Sequence, residues 1–402
     1  MTLIQGLFLA GCLAGIVYHL LGILAAGRFH RQQQGQPGAW TPPVSILKPV
    51  RGADPHAFAN FLSFCRQEYL QYEILFGVQD PRDPAIPVIR DLQSACPEVP
   101  IRLIIDESRI GANLKVCNLH NLVRHARHEV LVIADSDVRV GPEFLARVVA
   151  PLRTPRVGLV TCPYNGVSLR SLPAALEALS ISTVFLPGVF FAADFGRVDF
   201  AFGAAIALRR SVLKEIGGFS AIADYLADDF QLGNRAAVLG YRVVVSTYVV
   251  ESVTANAGFG PAFARLLRWS RTVRICRPHG YLASIITHST FFGLAYFLAT
   301  RCSPAGWLVF GAQQFCRWLA AGQIAVRVLG HRELRRWFWL LPVSDLLNIG
   351  LWVCSWLGNQ VSWRGVRFRL VEGGRMIRVD HPPPATEEER WPVAGMGSST
   401  GA

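Results

Sequence analysis

No Cys-x-x-Cys pair occurs among the nine cysteines of this 402-residue chain. Cys12, Cys302, Cys316 and Cys354 lie in apolar stretches and the others stand singly. That spacing excludes a disulfide framework and a cysteine-ligated zinc site, and it fits a main domain in a reducing, cytosolic compartment. His120, His125 and His128 likewise lack metal-ligand spacing. No stripe of basic residues interleaved with exposed aromatics appears, so the formal charge of +12 does not indicate nucleic acid as a partner. No internal repeat is present. What the chain has in excess is apolar: 51% of its residues are hydrophobic, high for a purely soluble protein. Apolar segments with surplus basic charge suit a membrane protein whose Lys and Arg gather on the cytoplasmic side, where anionic lipid attracts them.

Residues 1–27 hold one apolar run from Leu3, long enough at ~1.5 Å per residue to cross a ~30 Å hydrocarbon core. A cleaved signal peptide has a basic start and a shorter apolar core. Here Arg28, His30 and Arg31 come after the run instead, so the segment reads as a signal anchor that leaves the next domain in the cytoplasm. Residues 28–43 are a polar, Pro/Gly linker. From 44 to 257, short apolar runs alternate with amphipathic stretches. Val44–Val50, Tyr72–Val78, Ile101–Ile105, Val130–Ala134 and Val157–Thr161 read as buried strands, with helices such as His56–Arg66 and Ile86–Ser94 between them. This alternation predicts an α/β fold with a mostly parallel, doubly wound, Rossmann-like sheet and ligands at the carboxyl ends of its strands. Residues 258–280 form a basic amphipathic helix suited to a membrane surface. Residues 281–358 carry apolar segments near 281–300, 305–329 and 337–357. Arg317, Arg327 and Asp345 weaken the second and third as simple spans. Three crossings would also put the Arg-rich stretch Trp363–Arg378 outside, against the positive-inside rule. Two or three spans are therefore expected, with one segment interfacial or re-entrant. Residues 359–380 are a basic tail, and 381–402, rich in Pro, Glu, Gly and Ser, read as disordered.

The residues suited to chemistry stand at the ends of those strands. Asp135 and Asp137 come just after Val130–Ala134, and alternation along an extended chain points both carboxylates the same way. That suits a hard divalent cation sharing its shell with substrate phosphates; a capping Asp at a strand-to-helix turn is the plainer reading of an isolated Asp-x-Asp. Asp80 ends a strand in Val-Gln-Asp-Pro-Arg-Asp-Pro, where Asp83 reads as turn chemistry and Asp80 as the ligand-facing residue. Asp228 and Asp229 stand at an expected helix start. One of them can act as general base toward an acceptor hydroxyl, the alternative being a solvated cap. Arg265, Arg268 and Trp269 fall at i, i+3 and i+4, on one helix face. Arginine forks match phosphate oxygens and Trp can stack on a sugar or wall the acceptor site, although the same pattern suits side chains snorkelling at an interface. Lys48, Lys115 and Asn118 are further candidates.

In this order, the segments Val-Ser-Ile-Leu-Lys48-Pro, Val-Gln-Asp80-Pro-Arg-Asp-Pro-Ala-Ile, Gly111-Ala-Asn-Leu-Lys115-Val-Cys-Asn118-Leu, Asp135-Ser-Asp137-Val-Arg-Val, Ala-Asp228-Asp229-Phe, Arg265-Leu-Leu-Arg268-Trp269 and Ser362-Trp363-Arg364-Gly-Val-Arg367-Phe-Arg369 resemble the ceramide glucosyltransferase family of membrane GT-A enzymes. Within it, Phe64-Cys65-Arg66-Gln67, Val-Leu-Val-Ile-Ala-Asp135-Ser-Asp137 and Val-Gly-Leu-Val-Thr-Cys162 resemble the bacterial hopanoid-associated glycosyltransferases. The resemblance implies a GT-A nucleotide-sugar domain flanked by N-terminal and C-terminal membrane helices. It implies an inverting, metal-dependent transfer from UDP-N-acetylglucosamine to bacteriohopanetetrol at the bacterial cytoplasmic membrane, with the catalytic domain facing the cytoplasm. Asp80 would help hold the uridine, and Asp135 and Asp137 the diphosphate through Mg²⁺ or Mn²⁺. Lys115 is counted with the donor site, and Arg265, Arg268 and Trp269 would close over diphosphate and acceptor. Asp229 would be the base, Asp228 its neighbour, and the tail 359–380 would pack near the site. Animal ceramide enzymes carry Asp-Ser-Gly where this chain has Asp135-Ser-Asp137, and a His before a Pro where it has Ser182-Thr-Val-Phe-Leu186-Pro187. That His is linked to acceptor-site chemistry, and its absence counts against ceramide. Glucose transfer to ceramide is the alternative with the same chemistry. A processive polysaccharide synthase needs a translocation channel, for which these few spans are poor material. A non-catalytic membrane scaffold or carrier is the alternative from another class.

Overall fold

The computed structural model describes residues 2–379 except 36, 37, 39, 55, 168–170 and 254–257; the stretch 381–402, expected to be disordered, lies outside the described residues. At the centre is a seven-stranded sheet built from β1 (Val44–Pro49), β2 (Tyr72–Val78), β3 (Ile101–Ile105), β4 (Val130–Ala134), β6 (Val157–Thr161), β8 (Ala205–Arg209) and β9 (Arg242–Val245). The strand order is β3-β2-β1-β4-β8-β6-β9. β8 alone runs antiparallel, pairing with β4 on one side and β6 on the other. The expected strands are present, β1 ending one residue early at Pro49. Their continuous apolar runs reflect burial on both faces: Ile46, Ile74 and Val132 enter one core cluster, while Leu47, Leu75 and Ile133 enter the other. β8 was not expected. Its Ala-Ile-Ala-Leu-Arg run has weak strand propensity and is held instead by ladders on both sides.

Two smaller sheets frame the carboxyl ends of these strands. One comprises β5 (Val138–Arg139), β7 (Tyr164–Val167) and β10 (Val250–Val253), in the order β5-β10-β7. The other, β11 (Gln360–Trp363), β12 (Val366–Leu370) and β13 (Met376–Arg378), is formed by the basic tail. It docks on the catalytic domain through Leu226 N–H to the Gly374 carbonyl (3.1 Å) and Met376 N–H to the Asp224 carbonyl (2.8 Å).

Three described helices are long and apolar enough to cross a membrane: Leu3–Gln33, Leu172–Phe195 and Arg332–Trp356. The pair Pro278–Thr287 and Ser289–Ala299, bent by 53°, makes a fourth if counted as one span. Leu172–Phe195 escaped the sequence reading. It connects β6 and β7 to β8, and β6 pairs directly with β8. The strands that flank it are therefore tied together in the sheet. Its apolarity serves burial: 72% of its apolar window is enclosed by protein. Two of the three charges that weakened the later segments, Arg317 and Asp345, meet each other. Arg317 Nη2 lies 2.6 Å from Asp345 Oδ1, and the pair is completed by the Thr183 and Thr290 hydroxyls. A buried charge in an apolar helix persists when it is paired in this way. The basic helix Phe259–Cys276 sends Arg274 to the Gly358 carbonyl (3.2 Å). The chain thus leaves and returns to one place between residues 278 and 356, so any membrane crossings in that interval are even in number.

Candidate active site

β1 and β4 lie side by side and deliver the first two groups. Lys48, near the end of β1, is fully buried. Its Nζ donates to the Asp135 carbonyl at 2.9 Å and sits 3.7 Å from the Phe64 ring centroid. Burial pushes the Lys48 amine down to about 7, against the pull of Asp135 and Asp137. Lys48 thus props the loop that starts at Asp135. The far side of that loop is held by β10: Val253 N–H donates to the Asp137 carbonyl at 2.9 Å, and Ser252 Oγ to Asp137 Oδ2 at 3.0 Å. Burial raises both Asp135, to about 6, and Asp137. Asp54, in the loop after β1, adds its negative field at Asp137.

Lys115 joins these acids to the second pair. Asn113 caps helix Leu114–Val123, its Oδ1 accepting from the Lys115 and Val116 N–H groups at 3.0 and 3.1 Å, while its Nδ2 donates to the Tyr225 carbonyl at 2.7 Å. The cap fixes where Lys115 begins, and Nζ then lies 2.7 Å from Asp135 Oδ1 and 3.2 Å from Asp228 Oδ2. Burial disfavours the ammonium, but the carboxylates of Asp135, Asp228 and Asp229 outweigh it and raise the Lys115 pKa. Asp228 and Asp229 open helix Asp228–Val238, where the N-terminal dipole favours carboxylates. Burial first, and Asp228 second, push Asp229 up to about 7. Gly203 leaves the space beside it open: an added Cβ would stand 3.1 Å from Asp229 Oδ2 and 3.5 Å from Lys115 Nζ.

The basic helix closes one flank. Arg265 Nη2 pairs with Glu177 Oε2 at 2.7 Å, and Glu177 is buried. Arg268 makes no ion pair among the described residues. Burial, then Arg265 and Arg364, lower its pKa, and Asp229 and Glu177 are the acids that oppose them. Arg364 arrives from the β11–β12 turn with φ 53. Burial lowers its pKa, as does Arg51, while Asp135, Asp54 and Asp83 oppose. Trp269 packs against the cluster that contains Phe202 and Phe190. Tyr164 packs at a tilt against Phe185 and Phe202, and burial plus the fields of Asp229, Glu177, Asp137 and Asp135 hold its phenol protonated.

The structure therefore gathers Lys115, Asp135, Asp137, Asp228 and Asp229, sets Arg268 at their edge and assigns Arg265 to Glu177. Asp80 stands apart, half-exposed after β2, its Oδ1 accepting from Arg82 N–H at 2.9 Å. β2 is two positions from β4 in the sheet, roughly 10 Å at the usual strand spacing. Asp83 is turn chemistry, accepting from Gly52 and Ala85 N–H groups. Asn118 ties its helix to β2 through the Gly77 carbonyl at 2.8 Å. Sequence reasoning missed Asp54, Tyr164, Glu177 and Arg364 as site residues. Arg364 alone had a local signal, in the Ser-Trp-Arg-Gly segment; the others are isolated residues brought in by long-range packing.

The profile of glycosyl transferase family 21 matches residues 7–376. Ceramide glucosyltransferase 1 of Caenorhabditis elegans is 24% identical over 382 residues, covering 92% of this chain and 81% of that protein. A ceramide glucosyltransferase of Gibberella zeae is 27% identical over 192 residues, 44% of this chain and 36% of that protein. Among solved structures, a mannosyltransferase of Pyrobaculum calidifontis in complex with GDP-Man and Mn²⁺ aligns with a TM-score of 0.48 and 18% identity, over 86% of this chain and 99% of that one. With a mixed α/β sheet, acids gathered near its strand ends and a family match along nearly its whole length, the chain belongs to glycosyl transferase family 21 and is a hexosyltransferase.

Proposed function

We propose that the protein is an inverting, metal-dependent transferase that moves N-acetylglucosamine from its UDP donor to a hydroxyl of a membrane lipid, the hopanoid bacteriohopanetetrol. It would act at the cytoplasmic face of a bacterial inner membrane. The observation that carries the reading is the Lys115 bridge, which places the Asp135 side of the cluster and the Asp228–Asp229 pair within one ammonium's reach. Donor diphosphate and acceptor hydroxyl can then meet there. Asp229 takes the proton of the lipid hydroxyl as its oxygen bonds to the anomeric carbon. The bond from that carbon to UDP breaks on the opposite face, giving a β-linked product. Arg268 and Arg364 would meet the negative charge that grows on the departing diphosphate. The uridine would extend along the strand ends toward Asp80.

Asp135 and Asp137 fit a divalent cation. Both carboxyls are raised by burial, a penalty that a cation relieves. Mg²⁺ is usually held by one or two carboxylates plus substrate phosphates. Among the described residues no group of three or more His, Cys, Asp or Glu forms a ready cage. Mg²⁺ or Mn²⁺ bound there with the donor would supply Lewis-acid charge to the diphosphate. The expected result is that UDP tightens Mn²⁺ binding at least tenfold in calorimetry, and that Asp137→Asn removes this coupling. Equal Mn²⁺ affinity with and without UDP would count against the assignment.

A groove of about 340 Å³ opens between the basic helix and its neighbours, lined by Pro173, Leu176, Phe259, Phe263, Leu266 and Leu347. Leu176 and Leu266 are chain neighbours of Glu177 and Arg265, so the groove is built on the same two helices as that ion pair. An acceptor's apolar body would lie here with its hydroxyl toward Asp229. Phe263 is exposed, so Phe263→Asp is expected to fold and to raise the KM for lipid about tenfold while leaving the donor KM unchanged. An equal effect on both would disconnect the groove from the acceptor.

Glucose transfer to ceramide remains the second reading, favoured by the names of the curated relatives. Purified protein given either UDP-sugar, Mg²⁺ or Mn²⁺, and either lipid, with products read by mass spectrometry, tests both. N-acetylhexosamine on the hopanoid supports the first reading. A hexose on ceramide overturns its substrates and keeps its chemistry.

A further inference from the structure

A second cavity, of about 330 Å³, lies away from the carboxylate cluster, against the edge strand β9 at the far end of the sheet. Arg28, Arg197 and Arg242 line it, with Asp194 as the acid, over a floor that includes Phe29 and Phe190. Those two rings stand 4.5 Å apart. Arg28 pairs with Asp194 and lies 5.6 Å from the Phe195 ring. Arg197 donates to the Ala237 carbonyl at 3.2 Å, and its remaining donors are not engaged by any acid among the described residues. Arg242 has no ion pair there. Three guanidinium groups against one carboxylate leave the cavity cationic. Its height relative to a bilayer is set by the chain: Arg28 is the first charge in helix Leu3–Gln33, directly after its apolar run. Helix Leu172–Phe195 finishes at the same place, with Asp194 paired to Arg28. A cavity with an apolar floor and a guanidinium rim at headgroup level is the chemistry that retains a phosphodiester with its acyl chains beside it.

We infer that this cavity binds the phosphodiester headgroup of an anionic membrane phospholipid, separately from donor and acceptor. The inference rests on reading Leu3–Gln33 as a membrane span. The test uses the full chain reconstituted into nanodiscs of phosphatidylglycerol, phosphatidylcholine or an equal mixture, followed by mild release and native mass spectrometry of retained lipid. Wild type is expected to retain phosphatidylglycerol about tenfold over phosphatidylcholine. Arg197→Gln with Arg242→Gln is expected to reduce that preference at least fivefold, with transferase activity in detergent unchanged, because neither residue touches the reacting groups. Retention of both lipids alike by wild type, with the chain still recovered in bilayers, overturns the site and leaves the span intact. Failure to recover the chain in any bilayer overturns the span reading and the site with it. Displacement of the retained lipid by millimolar inorganic phosphate would overturn the lipid source in favour of a free anion.

Discussion

Asp229→Asn is expected to abolish sugar transfer, lowering kcat by about 10²–10⁴-fold, the usual range for loss of a positioned base, while UDP still binds. The substitution keeps the shape of the side chain and its place beside Phe230 N–H but cannot accept the hydroxyl proton. The acid limb of the wild-type kcat/KM profile should fall near pH 7 rather than in the ordinary carboxylate range, because burial and Asp228 push Asp229 up to about 7. Stability moves in the opposite sense. Since the folded-state pKa lies above the unfolded value near 4, folding is favoured most below pH 4, and that advantage is lost as pH rises through 7. The Asn variant, neutral throughout, should therefore melt above wild type at pH 8, by a margin that shrinks toward pH 5. A variant that transfers sugar at the wild-type rate would sink the assignment of the base. A variant that is both inactive and less stable at pH 8 would mean that Asp229 holds the fold instead.

Lys115→Met should carry the second large effect, on stability and activity together. The ammonium is the contact shared by Asp135 and Asp228, and its loss leaves Asp135, Asp137, Asp228 and Asp229 facing one another. Removing one partner of a buried pair costs about 3–5 kcal/mol. The lower end applies, because the Lys115 side chain is 16% exposed and the Asp135 side chain 34% exposed, so solvent screens part of the field. The Lys115 pKa is raised in the folded protein, so its contribution is complete at neutral pH and is lost only well into the alkaline range. In the variant the carboxyls take up protons more readily, and the deficit in Tm should narrow between pH 8 and pH 5. Donor kcat/KM should fall about 100-fold or more. Lys214→Met, on the exposed face of its helix, is the control and should change neither. Unchanged donor kinetics in Lys115→Met would remove the residue from the site.

Much of this site is legible in the sequence. Asp135, Asp137, Asp228 and Asp229 stand out because each sits at the end or the start of an element whose period is visible in a short window. The strand Val130–Ala134 must be apolar at every position to be buried on both faces, so the first polar residues after it mark the strand's carboxyl end. The spacing of Arg265 and Arg268 puts them on one helix face, and they do share one helix. Their separate environments are not legible. Arg265 meets Glu177, 88 residues away in the chain, whereas Arg268 is left beside the acids, and no local pattern distinguishes the two. Nor can sequence show that Asp137 is pinned by Ser252 or that Lys48, a lone lysine by its pattern, is a buried prop for the Asp135 loop.

The chain by itself determined the strands β1 to β4 and β6, the apolar N-terminal helix and the acidic residues at the strand ends, because burial on two faces and helical period are written residue by residue. Only the tertiary structure decided which charges meet. The Arg317–Asp345 pair, the Lys115 bridge and the approach of Arg364 from the C-terminal hairpin all join segments far apart in the chain. It also decided that Leu172–Phe195, apolar enough to span, is mostly enclosed by protein, while the pairing of β6 with β8 ties its two flanking strands together. Composition reports how much apolar surface must be hidden. Whether lipid or protein hides it depends on what the rest of the chain brings alongside.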